Sequence, residues 1–115
     1  MALRLYHNPR CSKSREALQL LQARGLAPEV VLYLETPPSA AEIRKLLKQL
    51  GLGPRALLRI NEAPYKALGL DDPSVSDARI VDAMAANPVL IERPILVAGN
   101  RAVIGRPPEK VLELV

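Results

Sequence analysis

The sequence contains no phenylalanine and no tryptophan, and its only aromatic residues are three tyrosines. Recognition of unpaired bases by ring stacking therefore has little to work with. Lysine and arginine never run more than two in a row, so the net charge of +4, from 16 basic against 12 acidic residues, does not gather into a polybasic segment. Nucleic-acid contact is not expected, and basicity around an anion site accounts for the excess equally well. No apolar run approaches the roughly 20 residues of a membrane span. Met1-Ala2-Leu3-Arg4-Leu5 lacks the long apolar stretch of a signal peptide. There is one cysteine, which excludes an internal disulfide and points to a reducing, cytoplasmic setting. There is also one histidine, and this pair cannot supply the four ligands of a structural zinc site.

What is present is concentrated. The lone cysteine and the lone histidine fall together in Tyr6-His7-Asn8-Pro9-Arg10-Cys11-Ser12-Lys13-Ser14-Arg15. Upstream, Leu3-Arg4-Leu5-Tyr6 alternates as a strand does. Downstream, Ala17, Leu18, Leu20 and Leu21 recur at helical spacing and Gly25 is placed to end the helix. Cys11 is therefore expected in a tight strand-to-helix turn, where unpaired N–H groups and the positive end of the helix dipole favour an anion.

The remaining pattern predicts an α/β protein. Glu29 to Tyr33 reads as a second strand, giving a strand–helix–strand unit with parallel strands. Ser39-Ala40-Ala41-Glu42 has the form of a capping box, ahead of a helix carrying Ile43, Leu46, Leu47 and Leu50 and closed by Gly51. Short helices are predicted over Pro54–Arg59 and Ala63–Leu68, and a longer one after Ser74 or Ser76 with Ile80, Val81 and Met84 inward. Ile95 to Ala98, Gly99-Asn100 and Arg101 to Ile104 read as a hairpin, and Lys110 to Val115 as a short terminal helix. The order is βαβ, a helical insertion at about 39–87, then ββα. A single domain over 1–115 with a mixed sheet is expected. A thioredoxin-like fold places a reactive cysteine at this position, and the order of elements permits it.

The candidate residues each carry two readings. Cys11 is either a buried structural thiol or, given Arg10, Lys13 and Arg15 around it, a stabilised thiolate. An ordinary thiol, with a pKa near 8.5, is only a few per cent ionised at neutral pH, so its surroundings must supply the difference. His7 is either a proton carrier or cationic partner for that thiolate, or a satisfied histidine at the end of a strand. Ser14, three residues after Cys11, either donates to the sulfur or bonds the backbone of its own turn. Arg59, Arg93 and Arg106 read from pattern alone as surface arginines, although the last two precede a proline, which extends their backbone.

Taken together, the segments 6–15, 32–38, 55–59, 65–70, 87–94 and 105–107 resemble the glutaredoxin-coupled arsenate reductases (the ArsC group) and their Spx-type relatives. The resemblance implies a thioredoxin-like core with a helical insertion, and a cis peptide before Pro94. It implies that Cys11 is the nucleophile, that His7 favours its thiolate, and that Arg59, Arg93 and Arg106 bind an oxyanion. Asn8, Ser14 and Arg15 fall in the same loop as supports for the thiolate. Arsenate is the implied substrate, glutathione the co-substrate, glutaredoxin the protein partner, and no bound cofactor is implied. Since Cys11 has no second cysteine to resolve its adduct, an external thiol must do so. The rival expectations are an Spx-like regulator that binds RNA polymerase and a monothiol oxidoreductase acting on glutathionylated proteins. Ser14 stands where a Cys-x-x-Cys partner would lie, which counts against a two-cysteine redox switch. Two departures bear on substrate choice: Ser12-Lys13 replaces the Gly-Thr pair of the best-known plasmid-borne enzymes, and the chain ends without their longer tail. No feature marks an obligate dimer, and a monomer is expected.

Overall fold

The computed structural model describes residues 2–115, which divide into two compact units, 2–36 with 93–115 and 37–92. The first unit is built on a four-stranded sheet. Strand β1 (Leu3–His7) leads through helix α1 (Ser12–Ala23) to β2 (Glu29–Leu32), which lies parallel to β1. On the other side of β1, strand β3 (Ile95–Ala98) pairs antiparallel, and β4 (Arg101–Ile104) closes the order β2-β1-β3-β4. Only a crossover can join the parallel pair, and α1 is that crossover. The mixed sheet with its helix is a thioredoxin-like arrangement, as the element order suggested.

Strand alternation decides what the sheet buries. Leu3 and Leu5 pair with Ala98 and Leu96 on one face. Ala17 and Leu21 of α1 meet that face together with Val111 and Leu114, forming one apolar cluster. Ser14, Ala17 and Leu21 are the buried residues of α1, at the i, i+3, i+7 spacing of a single helical stripe. His7 shares its strand face with Leu3 and Leu5, so it too points toward the helix side. The hairpin turns through Gly99 at φ 62°, with no positive φ at Asn100, the pattern of a two-residue type II′ turn.

Two local readings are corrected. The second strand ends at Leu32, because the N–H groups of Glu35 and Thr36 both donate to the Leu32 carbonyl and turn the chain before Tyr33 can join the ladder. The terminal segment is a 3₁₀ helix over Pro108–Leu114, starting earlier than Lys110. Pro108 suits a first helical position, and the Lys110 N–H donates to the Pro107 carbonyl at 3.0 Å, the i→i+3 bond of a 3₁₀ turn.

The second unit is helical. Helix α2 (Ala40–Leu50) has the predicted capping box, with Ser39 accepting from the Glu42 N–H and the Glu42 carboxylate accepting from the Ser39 N–H. It ends at Gly51, whose φ of 69° is the left-handed conformation a helix C-terminus favours. Helices α3 (Pro54–Leu57) and α4 (Ala63–Ala67) follow, then α5 (Asp77–Ala86), capped by Ser76. A 3₁₀ turn spans Pro88–Leu90. The α2 and α3 helices pack on α5. The first short helix was expected to run to Arg59 and stops at Leu57. Leu58 instead forms a β-bridge with Ile91, flanked by Arg59 N–H to Leu90 O at 2.8 Å and Glu92 N–H to Leu57 O at 2.9 Å. Among the described residues no helix is long and apolar enough to cross a membrane.

Candidate functional site

Between β1 and α1 the chain makes a turn held by three hydrogen bonds. The Asn8 side-chain oxygen accepts the Arg10 N–H at 3.0 Å, and the Asn8 carbonyl accepts the Cys11 N–H at 3.0 Å. The Cys11 carbonyl in turn accepts the Arg15 N–H, the first bond of α1, at 3.0 Å. Cys11 is therefore the N-cap, with the extended backbone (φ −96°, ψ 123°) typical of that position. An extended N-cap turns the sulfur toward the orphan N–H groups of the first turn.

Cys11 is 9% exposed. Burial, the largest single influence on its pKa, raises it. The Ser14 backbone N–H, the Arg93 charge, the Lys13 backbone N–H and the Arg106 charge oppose burial and together outweigh it. The net result is a thiol held below its usual range, hence a larger thiolate fraction at neutral pH. Lys13 acts here through its backbone, and its side chain is exposed.

The two cations come from far along the chain. Arg106 Nη2 lies 4.0 Å from the Cys11 sulfur, and Arg106 Nε donates to the Arg93 carbonyl at 2.9 Å. Each arginine precedes a cis-proline, Pro94 and Pro107. The resemblance implied the first of these bonds, while nothing in the sequence reading anticipated the second. The two segments are tied by a 2.8 Å bond from the Gly105 N–H to the Pro94 carbonyl. Glycine is required there for space: a Cβ at Gly105 would stand 2.9 Å from both Pro94 Cγ and Val111 Cγ1.

His7 and Ser14 form the layer beneath. The two residues are 5% and 0% exposed, and Ser14 Oγ lies 2.6 Å from His7 Nδ1. The same oxygen accepts the Asn8 N–H at 3.0 Å. Ser14 thus joins α1 to the end of β1 and to the turn, while its backbone N–H serves the sulfur. Burial, and then the charge of Arg15, hold the His7 pKa below its usual value, so the neutral ring is the favoured form. Arg15 Nη1 donates to the Pro9 carbonyl at 2.9 Å, bracing the turn from outside.

Arg59 belongs to the 37–92 unit. Its Nη1 pairs with Glu62 Oε1 at 2.8 Å and its Nε approaches Glu92 Oε1 at 3.9 Å. The turn that brings Glu62, three residues on, back to Arg59 and the β-bridge that places Glu92 beside it lay outside the sequence reading. Among the described residues, no three histidine, cysteine, aspartate or glutamate side chains cluster as a metal site.

A chain of Escherichia coli (strain K12), the uncharacterized protein YfgD, is 58% identical over 114 residues, covering 98% of this chain and 96% of that one. An arsenate reductase of Neisseria meningitidis serogroup A is 46% identical over 110 residues, covering 95% of this chain and 94% of its own. Among solved structures, an arsenate reductase from Vibrio cholerae superposes with a TM-score of 0.97 at 52% identity, covering 100% of this chain and 98% of that one. The family model for ArsC matches residues 6–114, from the end of β1 to the end of the terminal 3₁₀ helix, and the chain belongs to the ArsC family.

Proposed function

We propose that this protein is an arsenate reductase in which the Cys11 thiolate is the nucleophile and glutathione, with glutaredoxin, is the external reductant. The observation that carries the reading is a thiol at the mouth of α1 held toward its anion by two N–H groups and by Arg93 and Arg106. The relatives named as arsenate reductases, similar over nearly their whole length, support the choice of oxyanion.

The chemistry follows from charge. A thiolate attacking arsenate meets an anion, and guanidinium groups offset both the repulsion and the charge that builds as the As–S bond forms. Arg93 and Arg106 already face the sulfur's field and would hold oxygens of the incoming ion. Arg59 is assigned to the same task on the family resemblance. Attack by sulfur on arsenic expels a protonated oxygen as water and leaves a thiol-arsenate ester. Glutathione then attacks the Cys11 sulfur, its two electrons pass to arsenic as the S–As bond breaks, and arsenite departs. The Cys11–glutathione disulfide that remains is reduced by glutaredoxin with a second glutathione. The side chains of neutral His7 and Ser14 touch each other and support the turn that presents Cys11.

The experiment is NADPH consumption coupled through glutathione reductase, glutathione and glutaredoxin. Turnover that depends on arsenate and is lost in Cys11→Ser is the expected result. Turnover of a glutathionylated protein without arsenate would assign the thiolate to monothiol reduction instead. Absence of both, with capture of RNA polymerase, would replace the enzyme by a regulator.

A further inference from the structure

A cleft of about 210 Å³ opens beside the turn that carries Cys11. One wall is the turn itself, Pro9 and Arg10, with His7 and Asn8 behind them. The other is the end of β2 and the bend after it, Leu32, Leu34 and Glu35. Leu34 is 42% exposed, and Arg10 and Glu35 are exposed at the rim. The cleft thus presents one cation, one anion and a short apolar surface, a set that matches the ammonium and carboxylate of an amino-acid head group. Its volume is below the roughly 300–1,000 Å³ of a pocket that encloses a whole small ligand, so it suits one end of a longer molecule.

The arrangement also says which molecule. The wall of the cleft and the nucleophile share one hydrogen-bonded turn: Arg10 precedes Cys11, and both have their N–H groups satisfied by Asn8. The only cysteine in the chain has no internal partner, so whatever thiol resolves it must be seated from outside. A tripeptide reaches about 10 Å when extended, enough for its sulfur to work beside the turn while its head group is held to one side. We propose that this cleft is the seat of the resolving thiol, a zwitterionic γ-glutamyl tripeptide such as glutathione, with Arg10 receiving the head-group carboxylate, Glu35 its ammonium, and Leu32 and Leu34 its methylenes. The inference rests on Cys11 being the nucleophile of the proposed function and does not depend on arsenate.

The test therefore uses disulfide exchange. Cys11 thiolate attacks one sulfur of oxidised glutathione, the S–S bond breaks, a Cys11–glutathione bond forms and one glutathione thiolate leaves. The rate is read by mass spectrometry of the intact chain and divided by the rate with hydroxyethyl disulfide, which has no charged head group. The decisive variant is Glu35→Gln. Glutathione disulfide carries net negative charge, so simple attraction predicts a faster reaction once a carboxylate is removed, whereas loss of a seat predicts a slower one. The expected result is that the ratio falls about two- to fivefold in Glu35→Gln, the scale of one partly exposed ion pair, and falls similarly in Arg10→Gln. A ratio that rises or stays constant in Glu35→Gln overturns the proposal, as does a wild-type chain that forms no adduct on Cys11 with either disulfide. A wild-type chain that exchanges with glutathione but turns over no arsenate leaves the seat standing and removes the arsenate reading.

Discussion

Arg106 Nη2 and Cys11 Sγ stand 4.0 Å apart although 95 positions separate the two residues in the chain. The contact exists because Arg106 is fixed from behind, its Nε bonded to the Arg93 carbonyl and its own segment bonded to Pro94 through Gly105. A guanidinium already anchored in this way loses little freedom when it receives an anion.

The first prediction concerns that anchored charge. Because the Cys11 pKa is depressed, alkylation by iodoacetamide should reach half its maximal rate at a pH below the usual thiol value of about 8.5. Removing either cation in Arg93→Ala or Arg106→Ala should move the inflection upward. In the coupled assay each variant should lose about 10²-fold in arsenate turnover, as when one oxyanion donor is removed from an active site. Thermal unfolding should still be cooperative. Wild-type profiles in both variants would withdraw the role given to these arginines.

His7 gives a prediction about stability and pH. Its folded pKa is lowered, so between that value and the unfolded value of about 6.5 the unfolded chain binds a proton that the native one does not. The stability that neutral His7 supplies is complete above about pH 6.5 and declines as pH falls below it, until the folded pKa is passed. Urea midpoints measured as the pH is lowered from 7.5 should fall with this slope in the wild type. In His7→Asn that part of the slope should vanish. A slope unchanged by the substitution would mean that carboxylates alone carry the acid sensitivity.

Gly105→Ala tests the junction that positions Arg106. With its Cβ 2.9 Å from a proline ring carbon and from Val111 Cγ1, the substitution should cost about 1–3 kcal/mol, the range for overpacking. Urea denaturation gives that cost. The alkylation inflection should rise in parallel if the 105–106 segment gives way, since that shift moves Arg106 from the sulfur. A loss of stability with an unaltered inflection would separate packing from positioning.

Arg59 is held by carboxylates at 2.8 and 3.9 Å in the free protein. An oxyanion that uses this guanidinium must compete with Glu62. Glu62→Gln should therefore tighten arsenate binding about two- to fivefold by calorimetry, the equivalent of one partly exposed ion pair. The gain should disappear in an Arg59→Ala background. Tightening that survives the loss of Arg59 would show that Glu62 acts by general repulsion.

Much of the fold was legible because its determinants are local. The capping box at Ser39 and Glu42, the Gly51 terminus and the Gly99-Asn100 turn each lie within a few residues of the structure they specify. The limits of the reading have equally specific causes. Tyr33 has the character of a strand residue, but two N–H groups competing for the Leu32 carbonyl turn the chain first. The β-bridge between Leu58 and Ile91 joins segments more than thirty positions apart, so no helical pattern around Arg59 could announce it.

The sequence alone determined that this protein has one thiol, placed between a strand and a helix, with no internal cysteine to resolve it, because composition and hydrophobic period are properties of the chain. Only the tertiary structure decided which charges that thiol feels. The nearby Arg10, Lys13 and Arg15 suggested the environment, yet Arg93 and Arg106 supply the charge that lowers its pKa, and Lys13 and Ser14 supply N–H groups. Electrostatic influence depends on distance in space, and here a hairpin and a glycine set that distance across most of the chain.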